Sequence, residues 1–257
     1  MMTPPKRFHF ISAETEEAFK TTRKLISIYG HSSLEETDVV VALGGDGTML
    51  QAMRNVMNTG KPVYGMNRGS VGFLMNEFHE QNLPTRIAAA HKKEIHPLRM
   101  IANAENQGYI EALAINEVSL FRQSYQAAKI RISVDDKVRM EQLSCDGILV
   151  ATPAGSTAYN LSAQGPILPL MAPLMALTPV SPFHPRCWHG ALLQNTVTVR
   201  FDMLEADKRP VNAAADNVEV KSVLSVTISS ATEITASILF DPNHSWDERI
   251  LSEQFRY

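Results

Sequence analysis

Cysteine is scarce in this chain, two among 257 residues, so no disulfide framework can hold the fold and a hydrophobic core must do so. Cys145 and Cys187 stand far apart and read as free thiols. An excess of one charge is also missing. Lys plus Arg number 24 against 27 Asp plus Glu, a formal charge of -3, so no positive field exists to hold a polyanion and nucleic acid is not an expected partner. The longest apolar stretch, Pro166 to Val180, is interrupted by Pro169, Pro173 and Pro179. It cannot form a spanning helix of about 20 residues, and no membrane partner is expected. The first ten residues carry Lys6 and Arg7 but no apolar segment before a small-residue cleavage site, which points to a cytoplasmic protein. No H-E-x-x-H or G-x-S-x-G motif occurs, and Cys187 with His184 and His189 lacks a fourth ligand at suitable spacing. Neither a protein-bound metal nor hydrolase chemistry is indicated.

What remains is ordinary globular composition, 44% hydrophobic and 20% charged, with enough length for one large domain or two smaller ones. Phe8 to Ile11 reads as a strand, and Thr15 to Tyr29 as a helix, with apolar spacing at Phe19, Leu25 and Ile26 and a stop at Gly30. Asp38 to Leu43 is a β-branched apolar run suited to a strand buried on both faces. A glycine loop, a helix over Thr48 to Met57 and a strand over Lys61 to Met66 follow, the order of a parallel crossover unit. From about Leu98 the texture becomes β. Strands are expected over Tyr109 to Leu120, Lys129 to Val134, Val138 to Leu143, Asp146 to Thr152, Thr196 to Phe201, Val218 to Ile228 and Glu233 to Phe240, with a hairpin turn at Asp135-Asp136-Lys137. The fold class is therefore an α/β N-terminal domain with a parallel sheet, followed by a β-rich C-terminal domain. The boundary is placed near residue 99.

Gly44-Gly45-Asp46-Gly47-Thr48 lies where a buried strand turns into a helix N-terminus, the edge at which open α/β sheets bind ligands. Its glycines permit positive φ and close approach of backbone N–H groups to phosphate oxygens, which the helix end also favours. Asp46 is the odd member, because a carboxylate repels phosphates unless it meets a metal ion or takes a proton from a hydroxyl. The arrangement suggests phosphoryl transfer to an alcohol. A tight turn with Asp46 capping the helix is the structural alternative. No Gly-Lys-Ser/Thr follows at Walker A spacing, and no G-x-G-x-x-G pattern is present there.

Further along, Gly69 and Gly72 bracket a turn that would bring Phe73 either to a base or into the core. Asn116-Glu117 interrupts an otherwise apolar strand, where polar groups need a ligand or a surface position to offset their desolvation. Asp146 precedes a short strand, and the loop Thr152 to Thr157 then leads to a helix at Ala158. Ser156 and Thr157 can bond ribose, amide or phosphate oxygens or merely cap the helix, and Tyr159 offers a face and a hydroxyl.

Taken together, Gly44 to Thr48, Asn67 to Leu74, Asn116-Glu117 and Asp146 to Pro166 resemble the NAD kinase family in motif content and order. The first motif is shared with diacylglycerol and sphingosine kinases and, more loosely, phosphofructokinases; the later blocks separate them. The resemblance implies ATP-dependent phosphorylation of the adenosine ribose 2′-hydroxyl of NAD, with Asp46 as general base. It assigns Gly44, Gly45, Gly47 and Thr48 to the phosphates. It assigns Asp46, Gly47, Phe73, Asn116, Glu117, Asp146, Ala154, Thr157, Ala158, Tyr159, Asn160, Leu161 and Ser162 to substrate. It also implies Mg²⁺ or Mn²⁺ carried with ATP, a homodimer or homotetramer, and a site between the domains near a subunit interface. The N-terminal domain, residues 1–98, would take back the tail from about 241 to 257, leaving 99–240 as the dinucleotide domain. A lipid or small-alcohol kinase and a non-catalytic nucleotide-binding module are the other readings of the glycine loop. Departures from the family are Phe183, where many members have His, Arg186-Cys187 for Arg-Pro, and Asp216-Asn217 for Asp-Gly, where Asn217 would have to take the left-handed conformation.

Overall fold

The computed structural model describes residues 3–68, 72–105, 107–242 and 255. The chain divides into two compact units, residues 1–95 with 234–257, and residues 96–233. In the first, β1 (Phe8–Ser12) leads into α1 (Glu16–Tyr29), β2 (Val39–Gly44), α2 (Asp46–Val56), β3 (Pro62–Asn67), α3 (Leu83–Ala89) and β4 (His91–Ile95). The Thr15 hydroxyl caps α1 by accepting from the Ala18 N–H at 3.3 Å, and Gly30 ends it at φ 75°. The buried stripe of α1 is Ala18, Thr21, Thr22 and Leu25. Phe19, expected on that stripe, is instead 51% exposed, with the Arg23 guanidinium 4.6 Å over its ring. β2 is buried throughout: Val39, Val41 and Leu43 join a cluster with Leu25, Tyr64 and Met66, while Gly65, on the opposite face of β3, is approached by Met49 of α2. The sheet thus lies between the two helices.

The second unit contains β5 (Leu98–Ala104), β6 (Gly108–Ala114), β7 (Glu117–Arg122), β8 (Ala128–Val134), β9 (Lys137–Cys145), β10 (Gly147–Ala151) and β11 (Leu174–Val180). A 3₁₀ turn (Ala154–Thr157) and the single-turn α4 (Tyr159–Ser162) lie between β10 and β11. It continues with β12 (Ala191–Gln194), β13 (Val199–Leu204), β14 (Val211–Ala215), β15 (Val218–Val220) and β16 (Val223–Ser230). Two sheets, β12-β11-β10-β7-β14-β15 and β6-β5-β16-β13-β8-β9, share one core cluster that includes Val118, Leu120, Ile148, Val150, Phe201 and Ile228. The β8–β9 hairpin turns through Asp135 and Asp136, both at positive φ, and Lys137 opens β9 opposite Val134.

Three strand expectations are corrected by this topology. The run Tyr109 to Leu120 is two strands, because the chain leaves one sheet after Ala114 and enters the other at Glu117. Val218 to Ile228 divides for the same reason, with Ser222 at φ 51° in the crossing. The third, Glu233 to Phe240, begins at Ala236 as β17 (Ala236–Phe240), which returns to the first unit between β3, parallel, and β4, antiparallel. The two units divide at 95/96 and 233/234. Every residue of β17 is buried, as a central strand demands.

Asn76, fully buried, secures that return. Its carboxamide donates to the carbonyls of Gly65 and Leu239, both at 3.0 Å, and accepts from the Asp241 N–H at 2.9 Å. Asp241 in turn accepts from the Tyr64 hydroxyl at 2.6 Å and is paired with Arg86. Replacing Asn76 with Ala removes three hydrogen bonds from a buried site and should lower unfolding stability by about 1–3 kcal/mol, read from urea denaturation. An unchanged midpoint would mean the carboxamide does not hold the returning strand.

Candidate active site

In the first unit, β2 ends at Gly44 and α2 begins almost at once, with Gly45 as an extended N-cap and Asp46 as the first helical residue. Of the two freedoms that glycine permits here, positive φ is not used: Gly44, Gly45 and Gly47 are all absent from the positive-φ residues. Glycine serves two other purposes. At Gly44 a Cβ would lie 2.3 Å from the Thr48 Oγ1 and 2.9 Å from the Ala13 Cβ, so only hydrogen fits. Beside Gly45 and Gly47 a Cβ would meet nothing within 4 Å among the described residues, so there these positions leave space at a helix end that the N-cap side chain does not cap. Thr48, predicted to face phosphate, is buried against Gly44 and shapes the loop from within.

The Asp46 carboxylate does not cap α2. Its Oδ2 accepts from the Phe73 N–H and its Oδ1 from the Leu74 N–H, each at 2.9 Å. Two successive backbone donors therefore aim the group across the sheet edge. A carboxylate has about four lone-pair sites, so this grip is compatible with accepting a substrate hydroxyl. Gly72 lets the chain pass close by, since a Cβ there would lie 2.6 Å from the Met75 Cγ and 3.2 Å from the Asp46 Oδ1. Phe73 is half-buried, and Gly69 lies outside the described residues.

In the second unit, Asn116 occupies the crossing between β6 and β7, and Glu117 opens β7; the pair does not sit inside a strand. Asp216 holds this crossing. Its carboxylate accepts from the N–H groups of Ile115 at 2.7 Å, Asn116 at 3.0 Å and Glu117 at 3.2 Å, and its own N–H donates to the Glu117 carbonyl at 3.1 Å. The left-handed residue of that turn is Asp216, φ 49°, and not Asn217. Across from it, the Asn116 carbonyl accepts from the Thr152 N–H at 2.9 Å, and Gly155 packs so near that a Cβ would lie 2.2 Å from that oxygen. The Thr152 hydroxyl completes the clamp, donating to the Ile115 carbonyl at 2.6 Å and accepting from the Gly155 N–H at 3.0 Å.

Glu117 is half-buried, and its Oε2 is shielded from solvent with no hydrogen-bond partner. Burial first, and then the Asp216 charge, push its carboxyl up to about 7. Tyr159 lies close by. Burial and the Glu117 charge raise its hydroxyl, and its ring centroid is 5.5 Å from that of Phe121. Asp146 is half-buried and paired with Arg122, Nε to Oδ1 at 2.6 Å.

The predicted run from Ala154 to Ser162 separates into two groups. Tyr159 and Ser162 are exposed and Thr157, Ala158 and Leu161 half-buried, whereas Ala154 and Asn160 are buried. Asn160, assigned to substrate by the resemblance, has its side chain turned inward. Its carboxamide is fully buried and spent inside the protein, donating to the Ser156 and Pro166 carbonyls at 3.1 and 2.9 Å and accepting from the Thr178 hydroxyl at 2.7 Å. Ser156 is likewise internal, donating to the Pro153 carbonyl at 2.7 Å and accepting from the Leu168 N–H at 3.0 Å. A cavity of about 250 Å³ opens beside the end of α4, bordered by Ser162, Gln164, Val180, Ser181, Trp188 and His189. Phe183 is 62% exposed with the Arg186 guanidinium 5.2 Å over its ring, and Cys145 and Cys187 are free thiols, one buried and one exposed.

Asp216, Arg122 and Thr152 are site residues that sequence reasoning missed as such. Their partners lie 101, 24 and 37 residues away respectively; Thr152 was named only as the start of a loop and Asp216 only as a departure. Among the described residues no group of three or more His, Cys, Asp or Glu could hold a metal ion. The two roles of glycine make a direct comparison. Gly44→Ala should lower Tm by several degrees, a cost of about 1–3 kcal/mol for overpacking, while Gly45→Ala and Gly47→Ala should hold Tm or raise it slightly. Equal losses at all three positions would contradict this division.

The family model described as the ATP-NAD kinase N-terminal domain matches residues 7–95, and that of the ATP-NAD kinase C-terminal domain matches residues 115–189. An NAD kinase of Brucella suis is 68% identical over 249 residues, 97% of each chain, and one of Mesorhizobium japonicum is 62% identical over 257 residues, the whole of both. Yeast NADH kinase, solved with NADH, superposes with a TM-score of 0.86 at 18% identity, covering 99% of this chain and 89% of that one. An NAD kinase from Archaeoglobus fulgidus, solved with ATP, gives 0.77 at 21% identity, covering 96% and 98%. The solved structures share the fold, the relatives share the sequence nearly end to end, and on these grounds the chain belongs to the ATP-NAD kinase family.

Proposed function

We propose that this chain, a kinase with ATP as donor and NAD as acceptor, phosphorylates the adenosine ribose 2′-hydroxyl with Asp46 as general base. The observation that carries the role of Asp46 is its orientation: the Phe73 and Leu74 N–H groups hold the carboxylate in place, so its contribution is chiefly positional. As the 2′-oxygen bonds to the terminal phosphorus, its proton passes to Asp46 and the bond to the departing ADP oxygen breaks. The uncapped first turn of α2 and the open space at Gly45 and Gly47 suit the donor phosphates.

Substrate recognition falls to the second unit. Asn116, Glu117, Tyr159 and Ser162 would offer the polar groups and Thr157, Ala158 and Leu161 the surface around them, with Asp146 oriented by Arg122. Ala154 and Asn160 shape that surface from below. A divalent ion would enter as part of the nucleotide substrate, on family likeness alone. No helix among the described residues is long and apolar enough to cross a membrane. Action in the cytoplasm as a homodimer or homotetramer completes the reading, on family likeness alone.

Asp46→Asn should lower kcat by about 10²- to 10⁴-fold with the KM for NAD changed little, because Asn keeps the shape but cannot take the proton. Product formation is followed by a coupled NADP assay, and circular dichroism checks the fold. Turnover within threefold of the parent would remove Asp46 from the base role.

A further inference from the structure

Arg68, the first residue after β3, is a cation with little to hold it where it stands. Its N–H donates to the Gly44 carbonyl at 2.8 Å, which fixes it beside the loop that opens α2. In the sheet order β1-β2-β3, β2 separates β3 from β1, yet the Arg68 side chain pairs with Glu17, in the first turn of the helix that follows β1, Nη1 to Oε1 at 3.1 Å. The guanidinium therefore reaches across the end of β2. Phe78 braces it, with the guanidinium carbon 3.4 Å from the ring centroid. The Arg68 side chain is 23% exposed and that of Glu17 70%, and a pair with so open a partner contributes little. The Arg68 Nε is shielded from solvent and has no partner among the described residues. Two helices also start at this edge, where a positive charge is disfavoured and an anion is favoured. Other cations of the unit are spent or remote. Arg7 and Lys61 precede β1 and β3 and so lie at the opposite sheet edge, Arg54 is in the last turn of α2, Lys20 is paired with Glu16, and Arg86 with Asp241.

We infer that Arg68 is the residue that neutralises the phosphates of the donor, and that its pairing with Glu17 gives way to phosphate oxygens when ATP binds. A guanidinium presents five N–H donors in a planar fork, which matches two oxygens of a phosphate better than the single carboxylate oxygen it now meets. The exchange needs only a rotation of the side chain, since Gly44 already holds the backbone. This rests on the reading that the donor phosphates lie against the first turn of α2, and it supplies what the loop there lacks. Gly44 to Thr48 contains no cation, and its one ionisable side chain, Asp46, is an acid. As negative charge builds on the departing ADP oxygen, a cation at this edge stabilises it. Glu17 gains a role with the opposite sign: it competes with the phosphates for Arg68, so removing its charge strengthens donor binding.

Steady-state kinetics of the full chain, with the KM values for ATP and NAD measured separately, test this. Arg68→Gln should raise the KM for ATP about 10- to 100-fold and leave that for NAD within about twofold. Glu17→Gln should act the other way, lowering the KM for ATP about 2- to 5-fold because the competing carboxylate is gone. A merely structural ion pair cannot give opposite signs, since breaking it from either side has the same effect. A KM for ATP unchanged in Arg68→Gln, or unchanged or raised in Glu17→Gln, would overturn the inference. Should circular dichroism show Arg68→Gln unfolded, Arg68→Lys, which keeps the charge without the fork, takes its place with a smaller rise; Glu17, at an exposed site, decides the sign in either case. Gly45→Asp tests the reading beneath, because a carboxylate at the start of α2 should itself raise the KM for ATP. If it does and Arg68→Gln does not, the inference alone fails; if it does not, the donor phosphates lie elsewhere and the reading fails.

Discussion

Two backbone N–H groups, those of Phe73 and Leu74, grip the two oxygens of Asp46, and the chemistry assigned to this protein depends on that grip. A carboxylate at the first position of a helix would ordinarily turn back to the helix end or out to water. Here it is drawn to the loop that follows β3, and the small residues around it exist to allow this. Gly72 gives the loop room to approach, and Gly44 lets Thr48 fold in beneath. The position of the proposed base is thus a property of the sheet edge, set before any substrate arrives.

The second unit uses the same device for another purpose. Asp216 gathers three consecutive N–H groups at the crossing where the chain changes sheets, and so fixes Asn116 and Glu117 at the end of β7. In both places an aspartate substitutes for the regular ladder partners that a bend removes. The difference lies in what is left over. Asp46 is itself the proposed reactive group, whereas Asp216 takes the donors and leaves Glu117 beside it with an oxygen that has no partner among the described residues.

Much of the first unit was legible in the sequence, because strands buried on both faces leave β-branched runs and α1 carries its own signals, a Thr15 cap and a Gly30 stop. Sheet changes were not legible. Apolar texture continues through Ile115 and on past Val220, and nothing local says that a strand has passed from one sheet to the other. The resemblance implied that the chain returns to the first unit, but from about residue 241; that the return begins with β17 was hidden, since a short apolar run serves any sheet. Within the site, the motif residues could be named but their duties could not. Glycines that leave space look the same as glycines that turn left-handed, and Asn160, internally satisfied, looks the same in sequence as an amide awaiting a ligand.

The central claim concerns where the Asp46 side chain points when the acceptor is bound. A crystal structure of the Asp46→Asn variant with NAD and a non-hydrolysable ATP analogue answers it most directly. The account predicts the residue-46 amide within about 2.6–3.2 Å of the adenosine 2′-oxygen, with the loop at Phe73 and Leu74 still against it. A 2′-hydroxyl turned to another group, with residue 46 out of reach, would contradict it.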